Sequence, residues 1–324
     1  RVIPANRDAI FLPYQARWIA DRSRLKLIEK SRQIGLSWST AYAQVSRIAL
    51  TTARLDEWVS SRDEIQARLF LEDCKLWAGI ADIAARDLGE VVIDETKKHS
   101  ALVLQFANGR RIHSMSSNAD AQAGKRGSRV LDEFALHPDP RKLWAIAYPG
   151  ITWGGQMEVI STHRGSKNFF NTLVREFKEG GNPKKISLHT VTLQNALDDG
   201  FLWKLQQSLP VEDERQEMDE AAYFDWVKSG AADEESFLQE YMCKPADDDA
   251  ETAGLDLMSL LVNPDSFCET AENFFDLSFL VKDARATVGV DENTGLPVCR
   301  LAEAPDGAVP KTQNVVVLSM ADCK

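Results

Sequence analysis

The sequence is short of the features that mark secreted, metal-stapled or membrane-spanning proteins. Its five cysteines (Cys74, Cys243, Cys268, Cys299 and Cys323) are scattered and form no C-x-x-C pair. An odd, dispersed set argues against a zinc site or a disulfide framework and suits a reducing cytoplasm. No run approaches the roughly 18 apolar residues that a membrane-spanning helix needs, so no membrane association is expected. The N-terminus, Arg1-Val2-Ile3-Pro4, has no signal-peptide core and no initiator Met, which reads as a trimmed chain. Internal repeats are absent. The formal net charge is −11, which speaks against broad wrapping of nucleic acid but leaves room for a small, local basic contact. A length of 324 residues allows one large or two modest domains.

Against that background one stretch stands out, Glu29-Lys30-Ser31-Arg32-Gln33-Ile34-Gly35-Leu36-Ser37-Trp38-Ser39-Thr40. Leu25–Ile28 before it reads as a short buried strand, and Ser37–Leu50 after it as a helix with small and apolar faces. Strand, Gly-containing turn and helix start together build a phosphate-binding loop, because a helix N-terminus offers unpaired N–H groups to a polyphosphate. The match to G-x-x-x-x-G-K-[ST] is imperfect. Gly35 and Ser37 occupy the second Gly and the hydroxyl position, Leu36 stands where the Lys belongs, and Lys30 stands at the first Gly. A nucleotide site here must therefore take its cation from Lys30 or Arg32, with Ser37 as the Mg2+ ligand. An ordinary strand–turn–helix with surface cations has the same local pattern.

Further pieces fall into order along the chain. Gln15, in Leu12-Pro13-Tyr14-Gln15, carries an amide that can both donate and accept, as an adenine edge requires. Glu57–Ser61 followed by a helix through Trp77 makes a second β-α unit. Asn108-Gly109 between alternating runs at 100–106 and 111–115 marks a hairpin. Ser128–Phe134 is a short apolar strand ending in Asp132-Glu133; an acid there can hold Mg2+, and its neighbour can orient and deprotonate a water. Residues 156–165 form another strand, ending in Ser161-Thr162. Past Gly180 the texture changes to an edge strand at 185–192, then acidic amphipathic helices over 201–242 and an acidic connector at 246–252. Strand-like pieces resume at 274–275, 285–290, 296–301 and 315–318, with a hairpin turn at Asp291–Gly295. Phosphate loop, β-α unit, hairpin and acidic strand end follow the order of a doubly wound α/β P-loop domain.

Several of these segments resemble the large terminase subunit of tailed phages, the DNA-packaging ATPase and nuclease, and most closely its Mu-like prophage branch. The resemblance is carried by Leu12-Pro13-Tyr14-Gln15, by Lys30 to Ser37, by Val130-Leu131-Asp132-Glu133-Phe134-Ala135, by Ile160-Ser161-Thr162 with Gly165–Phe170, and by Phe237-Leu238-Gln239-Glu240-Tyr241. It covers roughly residues 10–245 and accommodates a loop cation placed early. It implies a RecA-like α/β ATPase core over 1–180, a helical linker subdomain over 181–250, and an incomplete or diverged RNase H-like, β-rich nuclease region over 251–324.

By position, the resemblance implies that Gln15, Lys30, Ser31, Arg32, Gln33, Gly35 and Ser37 bind ATP. It makes Ser37 and Asp132 the Mg2+ ligands, Glu133 the catalytic base, and Ser161 and Thr162 the coupling pair. Arg126 (with Lys125 as its rival) matches an Arg-Gly element that acts on a neighbouring subunit, and arginine's planar fork suits a transferring phosphoryl group. Asp276 would be the first acid of a nuclease site using two divalent metals, Mg2+ or Mn2+. Implied partners are double-stranded DNA, the portal protein, the small terminase subunit and further copies in a ring, with a monomer in isolation. The implied location is the host bacterial cytoplasm, transiently at the procapsid portal. Two other readings share parts of the pattern: a superfamily-2-like helicase or translocase, which needs a second RecA lobe not evident after residue 180, and a non-catalytic scaffold whose nucleotide site has decayed, suggested by Leu36.

Overall fold

The computed structural model describes residues 2, 9–94, 99–247, 255–256, 286–290 and 297–301. The chain separates into two compact units, Arg1–Ala246 and Asp247–Lys324. In the first, the elements run α1 (Pro13–Ala20), β1 (Leu25–Lys30), α2 (Leu36–Ile48), β2 (Asp56–Ser60), α3 (Glu64–Ile80), β3 (Ala85–Asp94), β4 (His99–Phe106), β5 (Arg111–Met115) and β6 (Gly127–Asp132). They continue with α4 (Pro140–Ala147), β7 (Met157–Ser161), α5 (Phe169–Lys178), β8 (Ser187–Val191), α6 (Leu193–Asp198), α7 (Phe201–Gln206), α8 (Glu220–Ser229) and α9 (Glu234–Tyr241).

One eight-stranded sheet organises this unit, in the order β3-β4-β5-β2-β6-β7-β1-β8. The six strands from β5 to β8 in that order pair in parallel, and the β3–β4–β5 ribbon is antiparallel. β7 lies between β1 and β6, so the strand entering the phosphate loop and the strand ending in acids flank a third. This is the arrangement of a RecA-like P-loop core.

Both faces of the sheet are covered, which is why its central strands lack polar–apolar alternation: β1, β6 and β7 are buried at every residue. Ile28, Val130 and Ile160 face α1, α2 and α3, packing with Trp18, Val45 and Phe70. Their neighbours Leu27, Leu131 and Val159 face α4 and α5, with Leu143 and Phe170. The α6–α9 segment gathers around its own cluster of Leu193, Leu197, Leu202, Tyr223, Val227 and Phe237.

Charged residues are buried near the N-terminal ends of the interior strands β1, β7 and β2. Lys26 Nζ lies 2.9 Å from Glu158 Oε2 and donates to Trp18 O, while Arg47 of α2 bridges Glu158 and Glu57. The pairs compensate one another: burial pushes the Glu158 carboxyl up, but Lys26 and Arg47 outweigh it and hold it below its ordinary value.

The hairpin expected at Asn108-Gly109 is present as β4 and β5, but β4 also pairs with β3, a strand absent from the sequence reading. The sheet continues past residue 180, because β8 pairs in parallel with β1. In the second unit, β9 (Leu255–Asp256), β10 (Ala286–Val290) and β11 (Pro297–Leu301) form an antiparallel sheet in the order β10-β11-β9. Strands β10 and β11 are those expected around the 291–295 turn. Asp276 and the strand-like pieces at 274–275 and 315–318 lie outside the described residues.

Candidate active site

The site forms where β1, β7 and β6 end. The loop leaving β1 is held by backbone before any side chain acts: Ser31 N–H donates to Val191 O of β8 at 2.7 Å and Arg32 N–H to Glu240 O of α9 at 3.0 Å. Gln33 and Gly35 then take positive φ of 56° and 71°, and Gly35 becomes the N-cap of α2. The turn lets the first N–H groups of α2 face the space above the sheet. A Cβ on Gly35 would come within 2.9 Å of Gln15 Nε2, so the loop's path and the glycine go together.

Gln15 is spent on that loop. Its Oε1 accepts the Leu12 N–H at 3.0 Å, and its Nε2 donates to Gly35 O at 3.0 Å and Ile34 O at 3.4 Å. Tyr14 Oη donates to Ile34 O at 2.6 Å, a grip that the sequence shows only as part of the stretch Leu12–Gln15. Helix α1 thus clamps the phosphate loop through two side chains.

Two contacts join the loop to the acidic strand end. Ser37 Oγ donates to Asp132 Oδ1 at 3.0 Å, and Lys30 Nζ lies 3.1 Å from Glu133 Oε1. Of the cations proposed for the loop, Lys30 therefore faces the acids, its side chain 6% exposed. The Arg32 guanidinium instead pairs with Glu240, which raises its pKa, chiefly through that hydrogen bond.

The acids are under strain of two kinds. Asp132 is buried, and burial first, then the Glu133 charge, pushes its carboxyl up to about 7; Lys30 and Ser37 pull the other way. Glu133 adopts a left-handed backbone at φ 51° and ψ 44°, rare for a residue with a side chain. Its Oε2 is buried without a partner. Such open polar atoms in a packed interior call for an occupant, and the unpartnered Thr162 Oγ1 is another.

Ser161 Oγ accepts the Ala135 N–H at 2.9 Å and so braces the turn after Glu133. Behind the loop, the fully buried Glu29 meets His163 Nε2 at 2.8 Å, Lys178 Nζ at 2.6 Å and Thr190 Oγ1 at 2.6 Å. Burial pushes the Glu29 carboxyl up, but these three partners outweigh it and hold it below its ordinary value. Helix α9 reaches the site twice, since Gln239 Oε1 accepts the Gly165 N–H at 2.7 Å while Glu240 holds Arg32. Gln239, Glu240 and Glu29 carried no functional signal of their own; Gln239 and Glu240 were visible only within the stretch 237–241.

Lys30, Ser37, Asp132 and Glu133 are thus brought into one cluster, with Ser161 and Thr162 beside it on β7. Arg126 is not part of it. It precedes β6, whereas Asp132 and Glu133 end that strand, and six extended residues separate the two by roughly 20 Å. Arg126 is exposed, with its guanidinium 5.7 Å from the Trp153 ring centre. Lys125 turns inward and donates to Ile93 O at 3.2 Å.

The residues present fit a Mg2+–nucleotide complex. A hydroxyl and a carboxylate stand in mutual contact at the mouth of a helix N-terminus, a lysine faces two acids, and a carboxylate oxygen is open. No group of three or more His, Cys, Asp or Glu side chains placed to hold a metal ion exists among the described residues. A Mg2+ ion held by Ser37 and Asp132 would take its remaining oxygens from phosphate and water. No helix among them is long and apolar enough to cross a membrane.

Comparison with known proteins gives two family matches. One, described as terminase large subunit, T4likevirus-type, N-terminal, covers residues 27–254; the other, described as Nse4 C-terminal, covers residues 254–324. The chain is 33% identical over 248 residues to Mu-like prophage FluMu protein gp28 of Haemophilus influenzae, across 75% of this chain and 48% of that protein. It is 33% identical over 252 residues to the probable terminase, large subunit gp28, of Escherichia phage Mu, across 75% of this chain and 44% of that protein. The chain therefore spans about half the length of the curated relatives it matches. Among solved structures, the HK97 bacteriophage large terminase aligns with a TM-score of 0.49 at 10% identity, over 75% of this chain and 52% of that one. The Thermus phage P74-26 large terminase ATPase domain aligns with a TM-score of 0.46 at 15% identity, over 71% and 92%.

Proposed function

This chain belongs to the terminase large-subunit family, and from that premise we propose that it is the ATP-hydrolysing part of a motor that drives double-stranded DNA into a phage procapsid. The observation that carries the reading is the paired contact Ser37–Asp132 and Lys30–Glu133. It joins two halves of a nucleotide site that lie far apart in the sequence.

The N-terminus of α2 and Lys30 bind the phosphates, with Ser37 and Asp132 positioned to hold Mg2+. The ion, when bound, neutralises phosphate charge during transfer. Lys30 is shared before nucleotide arrives: its ammonium offsets the Glu133 carboxylate. A polyphosphate carries more charge than one carboxylate, so Lys30 turns to it and leaves Glu133 free to hold a water and take its proton. Gln15 sets the loop's shape, its amide engaged by Leu12 N–H and the carbonyls of Ile34 and Gly35. Ser161 ties the Glu133 turn to β7, and Thr162 stands where loss of the last phosphate is felt. Arg32 and Gly165 both lead to α9, which gives the α6–α9 segment a mechanical link to the site.

Arg126 acts on a neighbouring copy, because its place ahead of β6, at the opposite end of that strand from Asp132, keeps it from its own cluster. Partners in this reading are DNA, the portal protein, the small terminase subunit and further copies in a ring. The location is the host bacterial cytoplasm, transiently at the procapsid portal. For the region after residue 250, the RNase H-like resemblance at Asp276 motivates a two-metal cutting role, tested by whether Asp276→Asn alters Mn2+-dependent cleavage of plasmid DNA. The ATPase reading is tested by nucleotide binding and turnover together. Glu133→Gln retains Mg2+–ATP binding and loses at least a hundredfold in turnover, while Ser37→Ala loses Mg2+-dependent binding. Wild-type turnover in Glu133→Gln would overturn the assignment.

A further inference from the structure

Arg129 is a buried cation that the proposed chemistry does not use. It lies on β6, is fully buried, and has no ion pair among the described residues. Burial pushes its pKa down to about 10, with only Glu57, already paired to Arg47, opposing. A buried charge without an acid is expensive, and replacing buried charged groups by apolar side chains of similar volume is often neutral or stabilising. What the guanidinium does hold is backbone: it donates to Lys125 O and, at 3.4 Å, to Ser128 O.

The next carbonyl is held too, since Trp58 Nε1 donates to Arg126 O at 3.0 Å. Trp58 is itself fixed, stacked on His113 with centroids 3.8 Å apart and planes 3° from parallel. Two consecutive carbonyls of an exposed turn are therefore gripped from inside, and Lys125 is anchored through Ile93 O. The space for the grip is kept open by glycine: a Cβ on Gly150 would fall 2.2 Å from Arg129 Nη2 and 2.8 Å from Lys125 O. The Arg126 side chain itself is exposed, its guanidinium over the Trp153 ring.

We propose that Arg129, with Trp58, is a positioning residue that fixes the Lys125–Arg126 turn so that Arg126 is presented in one orientation to the nucleotide site of a neighbouring copy. This inference rests on the reading of Arg126 as a trans-acting residue. A guanidinium that must meet a transferring phosphoryl group gains from a pre-set backbone, because misplacement by about 1 Å can remove a hundredfold in rate.

The test separates the subunit that supplies the arginine from the one that hydrolyses. Arg126→Ala protein keeps a complete nucleotide site and lacks the arginine; Glu133→Gln protein keeps the arginine and cannot hydrolyse. Mixing the two with double-stranded DNA and Mg2+–ATP is expected to raise turnover at least tenfold above either alone. Adding Arg129→Met to the Glu133→Gln partner is expected to remove most of that rise, while its melting temperature equals or exceeds that of Glu133→Gln. Gly150→Ala, which displaces the guanidinium without deleting it, is expected to act in the same direction. Full stimulation by the Arg129→Met partner would overturn the positioning role. So would a loss of stimulation that follows only a fall in melting temperature in both variants. If Glu133→Gln alone does not stimulate Arg126→Ala, the trans-acting arginine itself falls, and the inference falls with it.

Discussion

Asp132→Asn is expected to make the protein more stable and inactive at once, and the gain is expected to depend on pH. Asp132 is buried beside Glu133, and its carboxyl is pushed up from 3.8 to about 7. A carboxyl whose folded-state pKa is raised destabilises the fold when ionised. That penalty is absent at pH values below the unfolded pKa and complete once the pH exceeds the folded one. At about 1.4 kcal/mol for each tenfold, a rise of this size corresponds to a ceiling of about 4 kcal/mol above pH 7 and roughly half of that at pH 5.5. Asn keeps the shape and can still accept the Ser37 Oγ hydrogen bond, yet carries no charge. With part of the ceiling absorbed by relaxation, a gain of about 1–3 kcal/mol at pH 8.5 is expected. That is roughly 3–10 °C in melting temperature for a unit of this size. Differential scanning fluorimetry without metal or nucleotide reads it directly, comparing variant with wild type at pH 8.5 and 5.5. A variant less stable than wild type at pH 8.5, or a gain equal at both pH values, would refute the reasoning.

Three other perturbations probe different parts of the account. Gly35→Ala forces a side chain into a left-handed turn and against Gln15 Nε2; it is expected to cost about 1–2 kcal/mol and to weaken ATP binding, checked by urea denaturation and a fluorescent nucleotide titration. Lys26→Met strips one partner from the buried Glu158 network and is expected to destabilise by about 3 kcal/mol. Pairing it with Glu158→Leu is expected to recover most of that loss in the same denaturation assay. Glu240→Gln releases the Arg32 guanidinium from its half-buried pair. Little change in stability is expected, but nucleotide binding should tighten several-fold by calorimetry, since a second cation becomes available to the phosphates.

The parts of this fold that could be read in the sequence are those specified by neighbours along the chain. The β1–loop–α2 unit follows from an apolar run, one glycine and a helix start, and Asp132-Glu133 from an apolar strand that stops on acids. Strand β3 escaped because Ala85-Arg-Asp-Leu-Gly-Glu90 offers little β-branched or alternating pattern; it forms because β4 supplies a partner edge. Helix α4 carried an unused signal, Asp139 capping it and Pro140 at its first position. The insertion of β7 between β1 and β6 is a property of tertiary topology and leaves no local trace.

The site divides in the same way. Residue type and order nominate Ser37, Lys30, Asp132 and Glu133 as candidates, but which cation faces the acids is decided by Glu240, more than 200 residues beyond Arg32. Gln15 was found as an amide, and its direction is set by Leu12 N–H and two loop carbonyls. Glu29 and His163 look like an ordinary strand acid and a turn residue until parallel pairing brings β1 and β7 together.

The central claim, that Lys30, Ser37, Asp132 and Glu133 form a working ATP-hydrolysing site completed by a second copy, is tested most directly by steady-state ATPase across a range of protein concentrations. The measurement is made with and without double-stranded DNA, for wild type and Glu133→Gln. The account predicts wild-type turnover that rises faster than linearly with concentration, increases with DNA, and vanishes in the variant. Turnover that is strictly linear in concentration, or that survives in Glu133→Gln, would contradict it.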